Sequence, residues 1–207
     1  QTSLMHFKPV TLAISFFFGA CTLVQAGPKV LIKPSHGDIK VELNEEKAPL
    51  SVKNFLSYLN DGFFNGTVFH RVMPNFMIQG GGFELKKDGV IEQKPTKAPI
   101  ENESKNGLKN ERGTLAMART PDPHSATAQF FINHKDNTDL DYPSFDGWGY
   151  AVFGKVIEGL EVVDKIAALP TTSKTLVARR GDETREAEME DVPEENVVIE
   201  SVKLITE

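Results

Sequence analysis

The sequence predicts a mainly β protein in which one closed or nearly closed antiparallel sheet is capped by two α-helices. Short apolar runs bounded by turn residues recur along the chain, which is typical of strands in an antiparallel sheet. Two segments instead have apolar residues at helical spacing. Because the 207 residues contain neither an internal repeat nor a second hydrophobic block, we assign them to one domain preceded by a leader.

The first 26 residues have the pattern of a secretory signal peptide. Lys8 lies in a short polar head, and the uncharged apolar run at 10–24 is too short to span a bilayer comfortably. Val24 and Ala26 are the aliphatic and small residues that a signal peptidase reads before its cleavage point. We therefore expect export, cleavage after Ala26 and no stable membrane insertion afterwards. An uncleaved anchor, or lipidation at Cys21, is the alternative.

Cleavage would leave residues 27–207 as the functional domain. The formal charge of the whole chain is −6, and the loss of Lys8 makes it −7. Such an acidic balance disfavours nucleic acid as a partner. The domain would also lack Cys21, the single cysteine, which excludes disulfides, a thiol nucleophile and a cysteine metal site. The domain is long enough to complete its own core, so we expect a monomer.

The predicted strands and helices follow one another along most of the domain. Strands are predicted at 30–33, 39–43, 68–72, 76–79, 113–118, 129–133, 150–156 and 197–205. The helix at 48–59 has Pro49 in its first turn and ends before Gly62, and a second helix is predicted at 159–168. Residues 84–112 predict a long ordered loop. The charge-rich segment 171–195 predicts a solvated surface loop, with a partner-binding surface as the alternative.

Several familiar kinds of site are excluded by their motifs. The glycine run 80–82 lacks the Gly-Lys-Ser/Thr ending of a phosphate loop and instead predicts close backbone approach. No histidine pair has metal-ligand spacing, so we expect no metal. No serine lies in a Gly-x-Ser-x-Gly elbow, which leaves an acyl-transfer hydrolase without a nucleophile. The motifs therefore assign no metal, cofactor or nucleophile to this chain.

Aromatic and polar side chains are interleaved in the central segments. On the residues alone, the simpler interpretation is that these segments are core strands. In order and spacing, however, residues 69–83, Met117-Ala118-Arg119, 129–132 and 152–156 resemble the cyclophilin signature. The resemblance extends over about residues 28–205, and the leader and loop style resemble the bacterial periplasmic branch of that family.

The resemblance implies an eight-stranded antiparallel barrel with two capping helices and peptidyl-prolyl cis/trans isomerase activity. The implied partners are proline-containing polypeptides, namely unfolded or flexible exported proteins in the periplasm. Arg71 takes the place of the catalytic arginine. The implied substrate-binding residues are the proline-pocket residues Phe76, Met77, Phe131 and Leu140, the chain-holding residues Gln79, Gln129 and the backbone at Ala118 and Arg119, and Tyr150 at the rim.

Two positions depart from the family pattern. Many members have a tryptophan just before the pocket leucine, where this chain has Asp139 before Leu140, and that tryptophan contributes to ciclosporin binding. We therefore expect weak ciclosporin binding. The common rim histidine is Tyr150, which leaves the substrate preference open. The alternative function is a binding or chaperone module that keeps the pocket without relevant catalysis.

Overall fold

The computed structural model describes residues 26–206. These residues form eleven strands and two α-helices. The signal-peptide prediction falls, apart from Ala26, outside the described residues. Within 26–206 no helix is long and apolar enough to cross a membrane. The elements are β1 (Lys29–Pro34), β2 (Ile39–Leu43), α1 (Pro49–Asn60), β3 (Thr67–Met73), β4 (Met77–Leu85), β5 (Ile91–Gln93), β6 (Thr114–Met117), β7 (Phe130–Asn133), β8 (Val152–Glu158), α2 (Leu160–Ala167), β9 (Thr171–Arg180), β10 (Glu183–Pro193) and β11 (Val198–Ile205).

Eight of these strands close into an antiparallel barrel. Their order is β4-β3-β11-β1-β2-β8-β6-β7, and β7 pairs again with β4. Every pairing within the ring is antiparallel. The predicted closed barrel with two helices is therefore confirmed. The other three strands extend the sheet outward from β4 in the order β5, β9, β10.

Aromatic rings and aliphatic side chains fill the barrel and its contacts with the helices. The Phe55 ring of α1 lies 4.9 Å from that of Phe64, 5.5 Å from that of Phe130 and 5.4 Å from that of Phe153. Side chains of α2, among them Val163, belong to the same buried cluster. These stacked, tilted and edge-on ring contacts pack the interior closely.

The segment 84–112 is ordered by side chains that bind other elements. The Glu103 carboxylate accepts the backbone N–H groups of Leu50 and Ser51 at 2.9 and 2.8 Å, and the Ser51 hydroxyl at 2.7 Å. It therefore caps the N-terminus of α1, whose own N-cap residue, Ala48, makes no side-chain capping bond. Asn106 donates its side-chain amide to the Val152 carbonyl at 3.0 Å. The predicted ordered loop is confirmed, with short β5 inside it.

The prediction of a solvated loop at 171–195 is wrong. These residues form the β9–β10 hairpin, whose two-residue turn begins with Gly181 at a φ of 61°, a backbone angle that glycine adopts without strain. Leu176 and Val192 anchor it in a small cluster with Phe83. The outer part of β10 is exposed on both faces, so it lacks the alternation of apolar and polar residues by which strands are recognised.

Replacing the carboxylate that caps α1 should destabilise the fold. We expect Glu103→Ala to lower the free energy of unfolding by about 1–2 kcal/mol, because two N–H groups and a hydroxyl lose their acceptor. Urea unfolding followed by circular dichroism measures the change. Glu101→Ala is the matched control, since Glu101 is exposed in the same segment. Equal midpoints for the two variants would contradict the capping role.

Candidate functional site

The site is built on the outer face of the barrel by one row of residues that crosses four strands. Arg71 on β3 pairs with Gln79 on β4, Gln79 with Phe131 on β7, and Phe131 with Ala116 on β6. Side chains alternate between the two faces of a sheet. The neighbouring row accordingly points inward and is fully buried in the core: Val72, Ile78, Ile132 and Leu115. The pairing register alone therefore brings the predicted arginine, glutamine and phenylalanine together.

An apolar patch lies at one end of this row and contains the predicted proline-pocket residues. Its buried members are Met77, Ala116, Phe131 and Val152, and the Phe131 ring meets the Tyr150 ring edge-on at 5.8 Å. The half-buried side chains packed against them include Phe76, Ala118, Leu140 and Tyr150. The structure thus assembles these six predicted residues in one apolar cluster.

A buried chain of asparagines holds the loops that carry this patch. The Asn137 amide donates to the Phe76 carbonyl at 2.8 Å and to the Asn133 side chain at 2.7 Å. The Asn133 amide donates in turn to the Asn110 side chain at 3.1 Å, and the Asn110 amide reaches the Tyr150 carbonyl at 3.3 Å. Sequence reasoning missed these residues, because their contacts join distant segments and leave no short-range pattern.

The two predicted chain-holding glutamines support each other. The Gln79 amide donates to the Gln129 side-chain oxygen at 3.0 Å. Gln129 fits because Gly82 has no side chain: a Cβ there would lie 2.3 Å from the Gln129 Cγ. A Cβ on Gly80 would lie 2.9 Å from the Val68 carbonyl oxygen. The predicted close backbone approach at the glycine run is confirmed, although the run lies inside β4.

Arg71 and His70 differ in exposure although they are neighbours. The Arg71 side chain is exposed and makes no hydrogen bond or ion pair with any part of the chain between 26 and 206, so its guanidinium donors are free. His70 is 4% exposed and packs on Phe83 with the rings 4.5 Å apart. Burial, assisted by the Arg71 charge, lowers the pKa of His70 to about 4. The imidazole is therefore neutral at pH 7, and Arg71 supplies the positive charge.

The Arg119 side chain has a structural task beside the patch. It is 2% exposed, binds the Asp146 carboxylate at 2.6 Å and the Gly149 carbonyl at 3.2 Å, and lies 4.5 Å from the centre of the Tyr150 ring. This ion pair keeps the pKa of Asp146 below its ordinary value. Arg119 thus fastens the loop before Tyr150, and its guanidinium donors are occupied by this loop and by the Thr120 carbonyl. The Ala118 N–H is also used, by the Gln129 carbonyl.

A cleft of about 470 Å³ opens on the other side of Arg71. Three predicted site residues line it: Arg71, Gln79 and Gln129. Gln93 and the β9–β10 hairpin also line it, although the sequence did not predict them at the site. The hairpin residues at the cleft are Met189, Glu190 and Asp191, at a bulge where the pairing of β10 with β9 shifts and Asp191 has a φ of 58°. No local signal reveals this wall, because it depends on how the hairpin attaches to the barrel.

Comparison with known proteins gives one consistent family. A family model described as "Cyclophilin type peptidyl-prolyl cis-trans isomerase/CLD" matches residues 29–204. Peptidyl-prolyl cis-trans isomerase B of Escherichia coli is 53% identical over 175 residues, which are 84% of this chain and 97% of that protein. Peptidyl-prolyl cis-trans isomerase of Acinetobacter baylyi is 58% identical over 148 residues, 72% of this chain and 76% of that protein.

Solved structures show the same fold. A crystal structure of a Cryptosporidium parvum cyclophilin type peptidyl-prolyl cis-trans isomerase superposes with a TM-score of 0.65 at 26% identity. It covers 87% of this chain and 98% of that chain. A second structure of that protein, in the presence of the dipeptide Ala-Pro, also gives a TM-score of 0.65 and covers 86% of this chain and 99% of that chain.

Proposed function

The chain belongs to the cyclophilin-type peptidyl-prolyl cis-trans isomerase family, and we propose that it accelerates rotation about X-Pro bonds through Arg71, without a covalent intermediate. The observation that carries this mechanism is the row of Arg71, Gln79 and Phe131 on the outer face of the barrel. A free guanidinium stands in line with a polar side chain and an apolar patch. The Ala-Pro dipeptide present with the solved relative supports proline as the recognised residue.

The reaction needs an electrostatic partner for a twisted amide and no other reagent. Amide resonance sets the rotation barrier at about 18–20 kcal/mol, and uncatalysed exchange takes on the order of tens to hundreds of seconds. Twisting localises the lone pair on the prolyl nitrogen. The Arg71 guanidinium is always charged and presents a rigid fork of donors, either to that nitrogen or to the carbonyl oxygen. An interaction that strengthens as the amide twists lowers the barrier.

The other residues of the row confine the rotation to one bond. The apolar patch holds the pyrrolidine ring through Phe76, Met77 and Phe131. Gln79, itself fixed by Gln129, holds the adjoining backbone by hydrogen bonding. With both sides of the bond restrained, thermal motion is directed into the twist that Arg71 stabilises.

Removal of the guanidinium should abolish most of the activity without unfolding the protein. We expect Arg71→Ala to lower kcat/KM for a tetrapeptide with a central X-Pro bond by about 10²- to 10³-fold, the size of loss typical when a preorganised donor is removed. Arg71→Lys should keep the charge but recover little activity, because a lysine lacks the planar fork. Exchange measured by NMR, without a coupled protease, gives both values.

The matched control is Arg185→Ala, which removes an exposed arginine of β10 that does not line the cleft. Its rate should equal that of the wild type. Unfolding midpoints of the Arg71 variants should also be unchanged, because Arg71 has no partner within residues 26–206 to lose. Full activity in Arg71→Ala would contradict the mechanism. Spontaneous rates with the folded wild type would favour a binding module that keeps the pocket without catalysis.

Ciclosporin should bind weakly to this chain. Asp139 lies exposed in the short turn before Leu140, where the family resemblance places a tryptophan. The chain's Trp148 does not take that place, because it packs on His124 and under Lys105. We expect Asp139→Trp to tighten ciclosporin binding at least tenfold in a fluorescence titration, with Asp136→Trp as the control. Nanomolar binding by the wild type would contradict the expectation.

The proposed site of action is the periplasm, where the enzyme would assist the folding of exported proteins. The support is the signal-peptide pattern of residues 1–26. Cell fractionation of a bacterium expressing the sequence should recover a chain beginning at Gly27 in the periplasmic fraction. An unprocessed chain in the cytoplasmic fraction would contradict export, and a membrane-bound chain beginning with a modified Cys21 would favour lipidation.

A further inference from the structure

The bulge of the β9–β10 hairpin brings two carboxylates to the cleft beside Arg71. Glu190 and Asp191 line it together with Arg71, although more than a hundred residues separate them in sequence. A bulge leaves its extra residues outside the strand ladder and re-aims their side chains. The register shift between Met189 and Val192 does this at the cleft wall. The hairpin thus adds two negative charges to a cleft in which the barrel contributes mainly the side-chain amides of glutamines.

These carboxylates have no partner in the residues 26–206. Glu190 and Asp191 take part in no hydrogen bond or ion pair there, and neither reaches Arg71. Other carboxylates of this region are already neutralised: Glu92 binds Arg179 at 3.0 Å. With Arg71 as the one cation among the lining residues, the cleft has an excess of negative charge.

A second wall of the same cleft carries an unmet hydrogen bond. His70 is 4% exposed and lines the cleft, and its Nδ1 has no hydrogen-bond partner. A buried polar atom of this kind costs free energy unless a ligand or water satisfies it. In the tautomer that carries its proton on Nε2, the neutral His70 ring has an acceptor at Nδ1. Together with the unpaired carboxylates, this acceptor suits a group that donates several hydrogen bonds and carries positive charge. A lysine ammonium has three donors and no acceptor, and an arginine guanidinium has five.

We infer that Glu190, Asp191 and His70 form a subsite for a lysine or arginine side chain flanking the proline of the substrate. This inference rests on the proposed isomerase function. In it, the hairpin determines which proline-containing chains are preferred as substrates. Acidic flanking residues are repelled by the same two carboxylates. The enzyme therefore acts best on basic segments of unfolded polypeptides.

The test compares acetylated, amidated peptides with an Ala-Pro core. In each peptide, one of the two residues that flank the core is Lys, Gln or Glu. The protein is the chain from Gly27 to Glu207, and exchange is measured by NMR in 20 mM salt. At the flanking position with the strongest effect, kcat/KM should be about five- to tenfold higher for the Lys peptide than for the Glu peptide. In 0.5 M NaCl the ratio should fall toward unity, because these charges are partly exposed.

Paired variants assign the preference to the bulge. The double variant Glu190→Gln, Asp191→Asn removes two charges with little change of shape, and asparagine tolerates the positive φ at 191. Its Lys-to-Glu ratio should fall below about twofold. The control, Glu186→Gln with Glu188→Gln, removes the same charge from exposed positions of β10 outside the cleft and should keep the wild-type ratio.

Failure of the subsite and failure of the isomerase proposal give different results. The subsite is overturned if the Lys and Glu peptides react at equal rates, or if the Glu190→Gln, Asp191→Asn variant keeps the wild-type Lys-to-Glu ratio. In both cases acceleration of the Gln peptide still shows that the protein is an isomerase. Spontaneous exchange of every peptide, the Gln peptide included, overturns the isomerase proposal. In that case the dissociation constants of the same peptides, from NMR titration of labelled protein, decide the subsite: tighter binding of Lys than of Glu supports it, and equal binding rejects it.

Discussion

The pairing of β4 with β7 is the constraint on which the functional surface depends. It closes the barrel and sets Gln79 beside Phe131. A slip of β7 by one residue at this seam would turn Phe131 into the core and bring Ile132 to the surface. Close contacts beside the seam also need glycine, since a Cβ at position 82 would collide with Gln129. Barrel closure and the spacing of the site residues therefore have one cause.

A filled barrel places the proposed chemistry on its outside. The rings of Phe55, Phe130 and Phe153 occupy the interior, so in the proposed function a polypeptide lies across strands and not within them. An outer surface accepts a chain of any length, which an enclosed cavity does not. It also leaves Arg71 in contact with water, where its charge acts through a high dielectric. In the proposed mechanism, the contribution of Arg71 then depends on alignment, which four adjacent strands provide.

Local patterns predicted the barrel well because its strands and helices bury one regular face. The helix around Phe55, the strand around Ile132 and the grouping of Phe76, Met77, Phe131 and Leu140 all agree with the structure. The hairpin was predicted wrongly, because residues 183–191 of β10 have polar or charged side chains on both faces of the strand. They form a strand only through their pairing with β9. Gln93 and the asparagine chain were missed for a related reason: their partners lie far away in sequence, and only the folded chain defines them.

In the proposed function, the hairpin and the barrel have different tasks. The apolar patch there contacts the proline ring, which every proposed substrate shares, so the patch has little means of distinguishing one chain from another. Discrimination requires contacts with flanking residues, and the hairpin approaches them from outside the closed ring. It attaches through β5 and a separate buried cluster around Leu176, away from the β4–β7 seam. Changes in its charged bulge can therefore alter which chains are held while the register that aligns Arg71, Gln79 and Phe131 stays the same.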